Sequence, residues 1–249
     1  MPSPFTLIAD SWHFCRKQPT LHQVGFWLLF LPMLATAQLS TLEKTVDKTD
    51  PTVILLMVSL FLVIALLLLW GQICVLVIGK RLLQTKAGRS RTSFKSVCKE
   101  TRSLLVPYLL TSILRSAITL LWSILLIIPG IIYSTRTAFY GIVMTVEGLS
   151  YRPALRRSQQ LVTGQTWGVF WRLLCVSFLL FVPIQLLVSM LDTFFEEIGS
   201  NGLLFTDIID SLLSTITLIV FLVSLIAFYG ALLPGSHGKT VTWKKNKKA

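Results

Sequence analysis

The chain has 249 residues, of which 53% are hydrophobic and 14% charged, and its formal net charge is +12. Soluble domains carry about a quarter charged residues, so this balance, with a mean hydropathy of +0.72, excludes an ordinary soluble domain and points to a helical bundle in a membrane. The lysines and arginines cluster between apolar runs and at the C-terminus, and no phosphate loop, RNA-binding aromatic signature or finger motif accompanies them, which excludes nucleic acid as a partner.

The first twenty residues read as an interfacial helix: Phe5, Ile8, Trp12 and Cys15 recur at three- and four-residue spacing, with His13, Arg16 and Lys17 elsewhere on the wheel. The first apolar stretch, 21–39, ends Leu31-Pro32-Met33-Leu34-Ala35-Thr36-Ala37-Gln38, which looks like a signal-peptide cleavage site; the long helical region before it favours an uncleaved anchor. The second stretch, 53–79, is long and uncharged, well beyond the roughly 20 residues that a crossing needs. A basic connection follows, with Lys80, Arg81, Lys86, Arg89, Arg91, Lys95, Lys99 and Arg102. Phe94, Val97, Cys98 and Thr101 form a second amphipathic stripe within it.

The third stretch, 104–128, contains Arg115 and runs without a polar loop into Pro129-Gly130, a combination that predicts a sharp reversal of the chain. The fourth, 131–147, is the shortest and contains Arg136, so it is either a full crossing or a re-entrant element. A third amphipathic stripe comprises Tyr151, Ala154, Leu155, Ser158, Leu161 and Val162, with Ser150 as N-cap, Gly164 as stop, and Arg152, Arg156 and Arg157 placed to meet lipid head groups. The stretches 167–191 and 206–233 and a basic tail, 239–249, complete a single polytopic domain over 1–249.

Charge placement orients these spans. The connections holding Glu43, Asp47, Asp50, Asp192, Glu196, Glu197 and Asp207 alternate with the basic ones, and basic loops stay in the cytoplasm. Six crossings with both termini cytoplasmic, in a plasma or bacterial inner membrane, satisfy every loop. The fold expected is an all-α integral membrane protein with short interfacial helices, arranged as three repeats of interfacial helix, span, span.

The intramembrane charges are the candidate site. A lone arginine at mid-depth costs at least about 2.5–3.5 kcal/mol, so Arg115, flanked by Thr111, Ser112, Ser116 and Thr119, must face protein or water. It reads either as a cationic point for an anionic ligand or as structural glue. Arg136, bracketed by Tyr133 and Tyr140, is expected towards the outer leaflet and paired with Asp210 or Asp207 at the start of the last span. Glu147 is expected to pair with Arg152 or Arg156, and Arg172 to snorkel. The histidines His13, His22 and His237 lie outside the spans, and Cys15, Cys74, Cys98 and Cys175 form no CxxC pair. No metal site, cofactor, disulfide framework or catalytic motif is expected.

The order Pro129-Gly130-Ile131, Arg136, Val146-Glu147-Gly148, Ala154-Leu155-Arg156-Arg157-Ser158, Leu161-Val162 and Gly164 with Trp167 resembles the membrane domain found beside glycerophosphoryl diester phosphodiesterases, and also the YciC-like uncharacterised bacterial inner-membrane proteins. That activity resides in a separate soluble barrel for which this chain has no room, so the resemblance implies a membrane module and no catalytic residue. The function expected is a non-catalytic module that meets lipids, chiefly anionic head groups, or partner proteins; a small transporter for an anionic substrate is the alternative.

Overall fold

The structure, a computed structural model, describes residues 3–45, 50–83, 93–196 and 200–233. Lys86, Arg89, Arg91, Asp47, Lys48, Glu197, His237 and the basic tail lie outside the described residues. Nearly all described residues are helical and none lies in a strand.

Helix α1 (Pro4–Lys17) forms where the N-terminal spacing predicts a helix, but of the expected stripe only Cys15 is buried while Phe5 and Trp12 are exposed; Ser3 caps it, its Oγ accepting the Thr6 amide at 3.3 Å. It buries Leu7, Ser11, Phe14 and Cys15. The first rod comprises α2 (Pro19–Val24), a π-helical turn (Gly25–Phe30) and α3 (Leu31–Thr45). Then come α4 (Pro51–Leu83), α5 (Phe94–Leu125), α6 (Ile127–Arg136), α7 (Tyr140–Glu147), α8 (Tyr151–Val162), α9 (Thr166–Glu196) and α10 (Ser200–Leu232). Among the described residues five segments are long and apolar enough to cross a membrane: Pro19–Leu42, Pro51–Lys80, Phe94–Leu125, Thr166–Phe195 and Leu204–Leu232. The stretch expected as a fourth span is instead two short helices of ten and eight residues, broken at Thr137–Phe139.

Side-chain contacts fix the sense of each helix. Gly25 meets Ile219, Gly71 meets the Leu28 backbone, Thr101 meets Cys74, Gly79 meets Ile226 and Phe181 meets Phe221. The first rod, α5 and α9 therefore begin at the end where α4 and α10 finish. Lys80, Lys95, Lys99, Arg102, α1 and α8 gather at this basic end, whereas Asp50, Asp192 and Asp207 lie at the other. The α6–α7 arm carries the chain back to the basic end alongside α5, with Gly130 against Ser123, Arg115 against Ser134, and Tyr108 against Tyr140.

Two local expectations are corrected. The reversal is not at Pro129-Gly130 but at Leu126, the extended residue between α5 and α6 (φ −159°, ψ 129°). Pro129 falls in the first turn of α6, where a missing N–H leaves no helical bond unmade, and Gly130 lets that turn press onto Ser123. The stripe Phe94–Thr101 is not a separate interfacial helix, because nothing between Thr101 and Leu104 breaks it and it continues into α5. Ser150 precedes α8 but makes no side-chain cap bond, while Gly164 at φ +89° ends it as expected.

The packed core lies at the basic end. Phe14, Leu21, Leu29, Ile73, Ile78, Phe139, Met144, Ile226, Phe228 and Tyr229 are almost wholly enclosed there. The opposite halves of α4, α5 and α9 present exposed Leu55, Leu62, Ile113, Leu121, Leu186 and Met190. Lipid tails are as apolar as leucine, so close backbone approach and hydroxyl bonds, rather than hydrophobic burial, must hold such helices together. The π-helical turn and α4 illustrate this: a Cβ on Gly71 would stand 2.6 Å from the Leu28 carbonyl oxygen.

Candidate functional site

Arg115 sits on α5 ten residues before its end, about 15 Å into the bundle from the Leu126 turn. Its partners come from the returning arm rather than from its own neighbours on α5. Nε donates to Thr137 Oγ1 at 3.0 Å, one terminal nitrogen reaches Ser134 O at 3.3 Å and Ser134 Oγ at 3.4 Å, and the guanidinium lies 5.1 Å from the Tyr140 ring centroid. Among the described residues no carboxylate pairs with it. Beside it opens a cleft of about 500 Å³, lined by Arg115, Ser116, Thr119 and Ser123 of α5 with Ser134 of α6, and by Leu120 and Ile124 on its apolar rim. The cleft thus offers one cation and four hydroxyls in an otherwise aliphatic surface. Hydrogen bonds from arginine to neutral oxygens leave its charge uncompensated, which is the chemistry of an anion-receiving group.

Arg136 is placed differently from expectation. It ends α6 and donates from Nε to Thr166 Oγ1 at the start of α9, 3.2 Å away. Phe139, three residues on, packs against Phe228 and Tyr229, and Phe228 is eighteen residues, about 27 Å, along α10 from Asp210. The expected Arg136–Asp210 pair is therefore excluded by depth. Asp210 accepts from Ser214 Oγ at 3.1 Å, and Asp207 accepts from Gln38 Nε2 at 2.8 Å, at the other end of the bundle. The error arose from assigning Arg136 to the outer leaflet; the arm brings it towards the basic end.

The break between α6 and α7 would strand backbone groups inside the bundle, where each unsatisfied group is expensive. Ser158 of α8, fully buried, closes it: its hydroxyl donates to the Arg136 carbonyl at 2.8 Å and accepts the Phe139 amide at 3.2 Å. Thr137 and Phe139 are themselves fully enclosed. Two further hydroxyls, equally buried, occupy comparable stations: Thr101 at the start of α5 bonds Cys74 of α4 at 3.4 Å, and Ser11 of α1 meets Ser224 of α10 at 3.0 Å.

Glu147 ends α7 and joins three helices. Both its oxygens accept from Arg157 Nε of α8, at 3.2 and 3.0 Å, and Oε1 accepts from the Tyr229 hydroxyl of α10 at 2.7 Å. The partner is Arg157, not Arg152 or Arg156, because only Arg157 lies near the face of α8 that carries the buried Ala154 and Ser158. Arg152 and Arg156 are exposed, as a head-group contact requires. Tyr151 opens α8 at φ 58°, a left-handed conformation that an aromatic residue rarely adopts, and its amide is held by Thr111 Oγ1 at 3.0 Å. That bond, the Ser158 bonds and the Tyr229–Glu147 bond escaped the sequence reading, which gave Glu147 an arginine partner on α8 but not the right one; the only sequence signal was a hydroxyl falling on the apolar side of a helix.

Among the described residues no cluster of three His, Cys, Asp or Glu side chains could hold a metal ion. Burial pushes the Cys15 thiol up to about 12, so it is a packing group rather than a nucleophile. Compared with known proteins, the chain matches no protein-family model, no curated protein and no solved structure.

Proposed function

We propose that this chain is a non-catalytic, six-pass membrane module that holds an anionic lipid head group in the Arg115 cleft. The observation that carries the reading is an uncompensated arginine at mid-helix, open to a cleft of about 500 Å³ whose other polar groups are hydroxyls. An anionic head group would offset the cost of keeping that charge within the bilayer, and its acyl chains would lie on Leu120 and Ile124. The resemblance to the membrane domain beside glycerophosphoryl diester phosphodiesterases fits, since catalysis there belongs to a separate barrel. The test is native mass spectrometry of the full chain with phosphatidylglycerol or phosphatidylcholine. Arg115→Gln loses retention of the anionic lipid while Arg115→Lys keeps part of it; equal retention by wild type and Arg115→Gln overturns the reading.

The module is best read as three units of interfacial helix, outer helix and inner helix. Unit one is α1, the first rod and α4; unit two is α5, with its amphipathic start, and the α6–α7 arm; unit three is α8, α9 and α10. What supports this is a cyclic relation. The buried hydroxyl of each unit's amphipathic segment bonds the inner element of the preceding unit: Thr101 to α4, Ser158 to the α6–α7 break, and Ser11 to α10. The arm then counts as the sixth crossing, and the basic end faces the cytoplasm of a plasma or inner membrane.

Transport of an anion is the second reading, favoured by the broken α6–α7 element, since discontinuous helices line many transport sites. The plugging of that break by Ser158, and the full enclosure of Thr137 and Phe139, favour the module.

A further inference from the structure

Helix α1 divides around its axis into three sectors rather than the two of an ordinary amphipathic helix. Successive residues turn an α-helix by about 100°, which gathers Leu7, Ser11, Phe14 and Cys15 on one sector, and all of these are buried. A second sector carries Thr6, Asp10, His13 and Lys17, a polar face suited to water. The third carries Phe5, Ile8 and Trp12, with Arg16 at its C-terminal end. Phe5 is 70% and Trp12 44% exposed, so the bundle leaves this apolar sector largely uncovered.

The docking of the buried sector sets the depth of the helix. Helix α1 packs on α10 and α9, and the Ser11 and Ser224 hydroxyls meet at 3.0 Å. Ser224 lies inside the apolar stretch Leu204–Leu232, eight residues or about 12 Å before its end. Helix α1 is thus held beside the apolar length of α10 and not beyond it, where the surroundings lateral to the bundle are lipid. Trp167 and Trp171, in the first turns of α9, are 57% and 58% exposed at the same end, as aromatic rings are where hydrocarbon gives way to head groups. Arg16, the one charge of the third sector, has a stem long enough to carry its guanidinium from the acyl boundary to phosphate depth. It also argues against a second copy as the cover. A two-fold contact through this face would enclose two arginines, with no acid in either sector to pair them.

We propose that α1 lies in the bilayer boundary at the basic end, with Phe5, Ile8 and Trp12 among acyl chains, Arg16 at the phosphates, and Thr6 and His13 in water. The partner of this face is the phospholipid surface itself, met by an apolar sector sunk about 5–10 Å below the head groups. The inference rests on the membrane-module reading and not on the Arg115 cleft.

The test places one nitroxide label at a time, through Phe5→Cys, Thr6→Cys, Trp12→Cys or His13→Cys, with Leu62→Cys on α4 as the reference. The full chain is used in phosphatidylglycerol–phosphatidylcholine nanodiscs, with Cys98 and Cys175 replaced by serine and the buried Cys15 and Cys74 retained so that the core stays intact. Circular dichroism confirms the fold of each variant, and the chain without an added cysteine is the blank. Oxygen, which concentrates in hydrocarbon, relaxes the labels at positions 5 and 12 more than a water-soluble nickel chelate does, and the order reverses at 6 and 13. Leu62, 61% exposed, prefers oxygen if the bundle is inserted, whatever the Arg115 cleft holds. A nickel preference at 5 and 12 beside an oxygen preference at 62 overturns the placement of α1 and leaves the membrane reading standing; a nickel preference at all three overturns both. Immobile labels at 5 and 12 that neither reagent reaches identify protein as the cover, a second copy or another partner, and overturn the proposal as well.

Discussion

Individual side chains in this protein are judged by what they replace in a medium without water. Ser158 closes a backbone break with two bonds, so Ser158→Ala strands a carbonyl and an amide together. Hydrogen bonds between membrane helices contribute about 0.6 kcal/mol on average and about 1.7 at most, and two lost together give an expected destabilisation of about 1–3 kcal/mol. Unfolding in detergent measures it, with Ser150→Ala, which removes no cap bond, expected to stay near wild type. Cys15 offers a second measurement. Its thiol, pushed up to about 12 by burial, stays protonated and enclosed at pH 8, so maleimide labelling there is negligible in the folded chain and complete after denaturation. Rapid labelling of folded protein at Cys15 contradicts the packing of α1.

Elements show where sequence reading reached and where it stopped. The long spans were visible because a run of twenty or more apolar residues has few alternatives, and α4 and the outlines of α5, α9 and α10 follow from that alone. Amphipathic α1 and α8 were visible through their period. Depth was not visible: placing the reversal at Pro129-Gly130, with Arg136 beyond it at the outer side, suggested an acidic partner that the arm passes nowhere near. Nor does hydropathy distinguish one unbroken helix from two short ones, because Thr137 and Phe139 are as acceptable to either. The Arg115 site was half legible: the arginine and its neighbouring hydroxyls could be named, but its partners Ser134, Thr137 and Tyr140 arrive from the α6–α7 arm and its break. Helix contacts yield their own prediction. A Cβ at Gly71 would meet the Leu28 carbonyl at 2.6 Å, whereas a Cβ at Gly168 meets nothing within 4 Å. Gly71→Val should prevent assembly of the first rod on α4, and Gly168→Ala should leave stability unchanged or raise it by up to about 1 kcal/mol through helix propensity. Thermal unfolding of both variants in one detergent compares them directly.

For the whole molecule, the decisive question is how the chain returns from the end of α5 to the start of α9. Helices α5 and α9 begin at the same end, so residues 126–165 must carry the chain back along α5, from Gly130 beside Ser123 to Tyr151 beside Thr111. Two short helices accomplish this because Ser158 of α8 satisfies the carbonyl and amide that the break leaves open; neither α6 nor α7 could stand alone against lipid. If the arm is a crossing, Leu126 emerges on the side of Asp192, and Arg152 on the other. Single cysteines at Leu126, Asp192 and Arg152, in a chain whose native cysteines are replaced by serine or alanine, place these residues by reaction with a membrane-impermeant maleimide in oriented vesicles. Leu126 and Asp192 should label from the same face and Arg152 only after permeabilisation, or the reverse if the vesicles are inverted. Labelling of Leu126 together with Arg152 would mean that α5 does not complete its crossing, and the three-unit arrangement would fail with it. The expected pattern leaves α1, the start of α5 and α8 on one surface, where the buried hydroxyls of Ser11, Thr101 and Ser158 meet α10, α4 and the α6–α7 break.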